Sequence, residues 1–180
     1  MPVASAHRTI RRCYHGRMPV RRILQLGDPM LRTISQPASD PTRVLADLRD
    51  TLHEFQATHG FGRGISAIQI GEPVRIIYIE IDGRAYSLVN PRYEALSAET
   101  FSLWDDCFSF PNLMVRVLRS VSLRLAYVDE DGAECTLEAS GAFAELIQHE
   151  MDHLDGILAV DRAIDRQSFM TREEWLRRKS

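Results

Sequence analysis

Apolar residues recur at helical spacing early in the chain. Between residues 44 and 55 they return every three or four positions, which predicts a helix with one buried face. Asp40 and Pro41 precede this stripe as an N-cap and a first-turn proline, and Gly60 follows it as a helix end. Residues 60–64 contain three glycines, so we expect an irregular segment there.

Two later stretches place apolar, β-branched runs on either side of a turn. Residues 74–81 and 85–89 are separated by an Asp-Gly turn, which predicts a β-hairpin. Residues 120–128 and 134–138 repeat the arrangement across a turn that also contains Asp-Gly. Because strands outnumber helices and pair mainly as hairpins, the pattern predicts the α+β class with small antiparallel or mixed sheets.

Two helices complete the pattern. Ser140 is a plausible N-cap for a helix over residues 141–154. Thr171 and Glu174 have the spacing of a capping box, which predicts the start of a last helix. Since no internal repeat or linker interrupts the chain, we expect a single catalytic domain over residues 21–180.

The first 20 residues differ from the rest. They contain four arginines and no acidic residue, and they lack the apolar run of a secretory signal. An Arg-rich start resembles a short organellar transit peptide. The favoured interpretation is a disordered extension over residues 1–20, or a start site assigned too early, because Met18-Pro19-Val20 repeats the opening three residues.

Composition and charge narrow the function classes. With 180 residues the chain can bury one sizeable core, and a formal net charge of −3 gives no support to a basic nucleic-acid surface. No apolar run approaches the length of a membrane helix. The 3 cysteines are too widely spaced for a disulfide framework. A reducing, cytoplasmic location is therefore expected.

A His-Glu-x-x-His motif on the second predicted helix carries the chemistry. Residues His149 and His153 are four positions apart, so their side chains share a helix face with Cβ atoms about 5–6 Å apart and can bind one ion. Glu150 follows the first of them and can reach a water molecule at that ion. The alternative is an amphipathic helix whose histidines are only solvated.

A third protein ligand is needed, and the sequence offers two sources. Cys107 lies between two aspartates and Phe108, close to a bend at Pro111, and a metal would stabilise its thiolate. Glu173 or Glu174 would instead complete the site of a zinc endopeptidase. Cys107 is the better candidate, and the endopeptidase remains an alternative.

Three short motifs follow one another along the chain. Residues 62–69 read Gly-Arg-Gly-Ile-Ser-Ala-Ile-Gln, residues 105–109 read Asp-Asp-Cys-Phe-Ser, and residues 148–153 read Gln-His-Glu-Met-Asp-His. In this order they resemble the motifs of peptide deformylases. The similarity extends over about residues 23–160. It implies a deformylase-like fold in which small sheets surround a central metal-binding helix. It also implies removal of the formyl group from the N-terminal formyl-methionine of nascent polypeptides.

The resemblance also implies roles for individual residues. One divalent ion, Fe²⁺ in preference to Zn²⁺, Ni²⁺ or Co²⁺, would be bound by Cys107, His149 and His153. Glu150 would accept a proton from the activated water and return it to the departing amine. Gln69 and the backbone N–H of Phe108 would stabilise the oxyanion.

Further implied roles concern substrate and supporting contacts. Gly64 would offer backbone hydrogen bonds to the substrate. In all, six residues would contact the substrate: Arg63, Gly64, Ile65, Asp106, Ala142 and Glu145. Asp105 would pair with Arg119, and Asp152 would support the ligands or the helix. A transient contact with the ribosome follows from a nascent-chain substrate.

Departures from the family cluster around the substrate. Asp106 replaces a glycine, and Arg63 and Glu145 occupy positions that the family usually fills with apolar residues. We therefore expect a pocket more polar than one for formyl-methionine. The alternatives are an amidase for another formylated or acylated substrate with a polar side chain, and a catalytically impaired homologue that retains the metal.

Overall fold

The computed structural model describes residues 20–179, so the extension expected over residues 1–20 lies outside the described part except for Val20. The described chain has three α-helices: α1 (Thr42–His59), α2 (Gly141–Leu154) and α3 (Arg172–Lys179). None of its helices has the length and apolar character to span a membrane. Its strands are β1 (Gly64–Ser66), β2 (Ile76–Ile81), β3 (Arg84–Leu96), β4 (Thr100–Asp106), β5 (Leu113–Ser120), β6 (Ser122–Val128), β7 (Glu134–Ser140) and β8 (Phe169–Thr171).

The strands form two antiparallel sheets. One has the order β1-β2-β3-β6-β7 and the other has the order β4-β5-β8. Helix α2 contacts β1, β2 and β7 of the first sheet and β5 of the second, so it runs between them. The predicted α+β class, with small sheets around a central helix, is confirmed.

The apolar core explains why α2 is central. Ile147 and Met151 pack against Leu125 of β6 and Ile79 of β2, and all four side chains are buried. Burying one such side chain contributes about 1.5–3 kcal/mol, so this contact surface fixes the rotation of α2 about its axis. Helix α1 covers the first sheet separately through side chains that include Leu48.

Most of the predicted elements are confirmed. Helix α1 begins at Thr42, so Pro41 takes the N-cap position that was predicted for Asp40, although the Asp40 carboxylate still accepts a hydrogen bond from Thr42 N (3.1 Å). Gly60 ends α1 with a φ of 75°, as predicted. Strand β1 already begins at Gly64, so only residues 60–63 of the glycine-rich segment are irregular. Helix α2 has the predicted bounds, and Glu174 N donates to Thr171 Oγ1 (3.2 Å) at the start of α3.

The second sheet was largely absent from the prediction. Strands β4 and β5 were not predicted, and the strand expected over residues 120–128 is the last residue of β5 followed by β6. In β5, Met114 and Val115 are adjacent and both buried, as is Val117. On the same strand the charged Arg119 is buried, whereas the apolar Leu118 is 52% exposed, so the apolar residues do not mark the buried face of β5.

Candidate metal and substrate site

Three side chains that could hold a metal ion converge where β4 ends beside α2. The Cys107 Sγ and His153 Nε2 atoms are 3.2 Å apart, and His153 Nε2 and His149 Nε2 are also 3.2 Å apart. Tetrahedral coordination at the usual bond lengths would separate two nitrogens by about 3.3 Å and a sulfur from a nitrogen by about 3.5 Å. All three residues are buried. Their spacing therefore fits one shared cation.

A buried network of charges surrounds these three residues. Asp105 Oδ1 lies 2.9 Å from His149 Nδ1, and Asp105 Oδ2 accepts a hydrogen bond from Arg119 Nη2 (3.0 Å), as the sequence predicted. Arg119 Nη1 also contacts Asp152 (2.5 Å), which Arg162 Nη2 contacts in turn (2.8 Å). The carboxylate beside His149 Nδ1 leaves Nε2 of that ring to face the cluster.

The network shifts the pKa values of its members. Burial raises the pKa of Asp105, but His149 and Arg119 outweigh it and lower that pKa to about 2. Burial lowers the pKa of His149, but Asp105 and Cys107 hold it well above its ordinary value. Burial and the neighbouring His149 hold the pKa of His153 well below its ordinary value. Asp105 is thus an anion directed at one of the two imidazoles.

Hydrogen bonds orient Gln69 towards the cluster. Its side-chain oxygen accepts from Ser66 N (2.9 Å) and from Ser66 Oγ (3.0 Å). Its amide nitrogen consequently faces Cys107 Sγ (3.6 Å) and Ser109 Oγ (3.4 Å). The Ser109 N–H also donates to the Cys107 sulfur (3.4 Å).

Glu150 places a carboxylate beside the cluster, and one of its oxygen atoms can still accept a hydrogen bond. The residue is buried, and its Oε2 atom has no hydrogen-bond partner among the described residues. Burial raises the pKa of Glu150 to about 7, against the lowering effects of His149 and Ser66. A Cβ atom on Gly64 would lie 3.1 Å from Glu150 Oε1, so the glycine allows β1 to approach this carboxylate closely.

A cavity of about 320 Å³ adjoins the cluster. Among the expected substrate residues, Arg63, Gly64, Asp106 and Glu145 line it, as do Gln69, Phe108 and Glu150. Ile65 and Ala142 are not among its lining residues. The Ile65 side chain is buried in the core with α1, and Ala142 is exposed, with its carbonyl accepting from Arg63 Nη1 (3.5 Å).

Two ion pairs occupy the walls of this cavity. Arg63 Nη2 donates to Glu145 Oε2 (3.1 Å), and burial raises the pKa of Glu145. Arg172 pairs with Asp106, and its guanidinium carbon lies 3.8 Å from the centre of the Phe61 ring. The side chains that differ from the family pattern are therefore engaged with one another or with the C-terminal segment.

The residues present fit a bound cation. One thiol and two imidazoles can supply three ligands, and an unpartnered carboxylate oxygen beside them suits a water molecule at an open fourth position. Glu174 instead pairs with Arg177 and Arg178 on exposed α3. No described metal-binding cluster joins the histidines to either glutamate of the endopeptidase alternative.

Several supporting residues could not be identified from the sequence. Ser66 and Ser109, which orient Gln69 and contact the sulfur, lie within the motifs but carry no distinguishing signal of their own. Arg162 and Arg172 lie outside the motifs, and Arg172 is 66 positions from its partner Asp106. Only the folded chain brings these arginines to the site.

Comparisons of the sequence and of the structure with known proteins lead to the same family. The polypeptide deformylase family model matches residues 20–169. A peptide deformylase from Treponema pallidum (strain Nichols) is 36% identical over 153 residues, covering 85% of this chain and 91% of the relative. The Thermotoga maritima peptide deformylase structure matches with a TM-score of 0.77 and 27% identity, covering 82% of this chain and 100% of that one. A Synechococcus elongatus peptide deformylase in complex with actinonin matches with a TM-score of 0.77 and 29% identity, over 93% and 90% of the two chains.

Proposed function

The chain belongs to the peptide deformylase family, and from that premise we propose which of its residues perform the reaction. Members of the family are metallohydrolases that cleave the formyl amide bond of nascent peptides. One observation supports the assignment most strongly: Cys107, His149 and His153 converge, and two of them, Cys107 and His149, line a cavity together with Glu150, whose Oε2 atom has no partner among the described residues.

One divalent cation would be held by those three ligands. When bound, it supplies Lewis acidity that polarises the formyl carbonyl and lowers the pKa of a water molecule. A sulfur and two nitrogens suit ferrous iron and zinc alike, and nickel or cobalt can also occupy such a site. Fe²⁺ is the favoured ion because the family motifs imply it.

Glu150 would move the proton. As a carboxylate it accepts a proton from the attacking water, and as an acid it delivers that proton to the departing amine nitrogen when the carbon–nitrogen bond breaks. Burial supports this role because it holds the pKa of Glu150 at about 7, where both protonation states are accessible at neutral pH.

Gln69 and Phe108 would stabilise the oxyanion. The Gln69 amide nitrogen already faces the ligand cluster, because Ser66 holds the opposite end of the amide. The ring of Phe108 stacks on Phe55 with 3.8 Å between centroids, which fixes the backbone after Cys107 and supports a donor role for the Phe108 N–H.

Gly64 would hold the peptide backbone. Strand β1 is the edge of its sheet, and Glu80 N donates to Arg63 O (2.7 Å). With the register of β1 and β2, the N–H and C=O groups of Arg63 and of Ile65 therefore point towards β2. The alternation of an antiparallel ladder then turns the Gly64 N–H and C=O towards the open side. A substrate chain can pair there as an added strand.

A nascent-chain substrate supports a transient contact with the ribosome. Co-sedimentation with ribosomes that carry a formylated nascent chain, compared with empty ribosomes, tests this point. A single catalytic domain over residues 21–180 and a cytoplasmic location remain predictions.

Turnover of a formyl-Met peptide by anaerobically prepared, iron-loaded protein tests the function. We expect release of formate with about one ion per chain, and near-complete loss of turnover in Glu150→Gln with the ion retained. One ion per chain without turnover of any formyl peptide would instead identify a catalytically impaired homologue.

A further inference from the structure

The cavity wall contains more carboxylates than basic side chains. Four carboxylates line it, with two basic side chains beside them: Asp105, Asp106, Glu145 and Glu150 against Arg63 and His149. Such walls attract a positive group and repel a negative one, and the low dielectric of a part-enclosed cavity strengthens both effects.

The four carboxylates differ in how firmly their counter-ions are held. Arg119, the partner of Asp105, is 3% exposed and also contacts Asp152. Arg172, the partner of Asp106, is 18% exposed and also donates to Pro111 O (2.6 Å). These two cations are anchored from behind the cavity wall and cannot leave it without breaking further contacts.

Glu145 is different. Its side chain is only 5% exposed, whereas the side chain of its partner Arg63 is 41% exposed. A buried carboxylate must keep a cationic or hydrogen-bonding partner, but a long, half-exposed arginine is held weakly and can turn into solvent. Arg63 Nη1 also donates to Ala142 O, but this hydrogen bond is long (3.5 Å). Among the described cations paired with the cavity wall, the Arg63 guanidinium is therefore the one that an incoming group can replace most readily.

Glu145 is also correctly placed to contact a substrate. It lies four residues before His149 on α2, about one helical turn along the same face. One carboxylate oxygen of Glu145 lies within 4.8 Å of ligand atoms of both Asp105 and His149. A substrate whose formyl group is at the metal ligands thus brings the side chain of its first residue within reach of Glu145.

We propose that Glu145 selects formylated substrates whose first residue carries a cationic side chain, an amine or a guanidine, which takes the place of the Arg63 guanidinium. The inference rests on the deformylase function proposed above. A cationic side chain keeps Glu145 paired while Arg63 moves into water. An apolar side chain would desolvate the ion pair without replacing its hydrogen bonds, and an acidic one would meet the three other carboxylates of the wall.

Matched substrates test the proposal. Formyl-lysine and formyl-norleucine peptides differ at the first side chain only by the ammonium group, so the ratio of their kcat/KM values isolates the charge. For the metal-loaded protein we expect this ratio to be about 10 or more. Glu145→Gln should lower it by about tenfold, because the amide preserves shape but not charge. Arg63→Gln should raise it, because the resident cation no longer competes.

Glu145→Gln is expected to lower the ratio of kcat/KM values and Arg63→Gln to raise it. General damage to the cavity would not change the ratio in opposite directions in the two variants. A matched control pair is available on the first sheet, where Arg124 Nε contacts Glu94 Oε2 (3.0 Å) away from the cavity. Glu94→Gln and Arg124→Gln should leave the ratio within about twofold of its original value. The metal-to-protein ratio of each variant verifies that its site is loaded.

The outcomes separate this inference from the function on which it rests. Turnover of neither peptide by loaded protein would overturn both. Turnover of formyl-norleucine or formyl-Met equal to or faster than formyl-lysine would overturn the selectivity and leave the deformylase function standing. A ratio above 1 that Glu145→Gln does not lower would also overturn the assignment to Glu145.

Discussion

The two sides of the cavity hold their charges differently. We call the side with Asp105 and Arg119 the metal side and the side with Glu145 and Arg63 the substrate side. On the metal side, Arg119 is 3% exposed and joins two carboxylates, Asp105 and Asp152, within the fold. On the substrate side, Arg63 is 41% exposed and contacts a single carboxylate, Glu145. The first arrangement is closed and rigid, whereas the second can exchange its partner with whatever enters.

This difference teaches where changes are tolerated. A charge in a closed, buried network leaves an uncompensated partner when it is lost. A half-exposed arginine, in contrast, can exchange its contact for water at little cost to itself. We therefore expect large effects on metal binding, catalysis and folding from the metal side. From the substrate side we expect small effects on stability, with the consequences confined to substrate preference.

The largest effect is expected for Cys107→Ser. Removing groups that merely support a ligand costs about 10–100-fold in metal affinity or activity, so removing a ligand should exceed about 100-fold. Elemental analysis after gel filtration should show loss of bound metal together with loss of formyl-Met peptide turnover. Retention of metal by Cys107→Ser would favour the endopeptidase alternative.

Glu150→Gln should separate catalysis from metal binding. Without a proton acceptor of the right pKa, kcat should fall by about 10²–10⁴-fold. Steady-state kinetics, with metal analysis on the same sample, check this expectation. A variant that keeps most of its kcat would exclude Glu150 as the base.

Arg119→Met should have the largest effect on stability. The change leaves Asp105 and Asp152 buried, with His149 as the remaining ion-pair partner of Asp105 and Arg162 as that of Asp152. We expect the free energy of unfolding to fall by about 3–5 kcal/mol. Urea unfolding measures this change, with Arg124→Met as the control because Arg124 is half exposed in an ion pair on the first sheet. Equal changes in the two variants would contradict the closed-network account.

The smallest change is expected for Arg172→Gln. Its ion pair with Asp106 is partly exposed and joins no second carboxylate, so the free energy of unfolding should fall by less than in Arg119→Met. KM for a formyl peptide should rise while kcat changes little, because the change loosens a cavity wall and leaves the metal ligands in place. A fall in kcat as large as that in Glu150→Gln would place Arg172 on the metal side instead.

The sequence predicted the metal side of the cavity better than the substrate side. The α2 helix, its bounds and the spacing of His149 and His153 follow from local periodicity and a short motif. The Asp105–Arg119 pair was also expected, because it follows from the family resemblance. These features are encoded within single elements or within motifs that match the family closely.

The remainder depends on contacts between distant segments. Strand β5 could not be recognised because its apolar residues do not follow its buried face: the charged Arg119 is buried and the apolar Leu118 is exposed. The contact of Arg172 with Asp106 arises only because β8 pairs with β5. Ile65 was expected to face the substrate, but its side chain is buried in the core with α1. Orientation on a strand is set by the tertiary fold, which a motif does not specify.

The central claim is that one sulfur and two imidazole nitrogens bind a single ion. X-ray absorption spectroscopy of the zinc-loaded protein tests it most directly, because zinc–sulfur and zinc–nitrogen bonds differ in length. The account predicts one sulfur at about 2.3 Å and two imidazole nitrogens at about 2.0–2.1 Å. A spectrum that requires only nitrogen and oxygen ligands would contradict it.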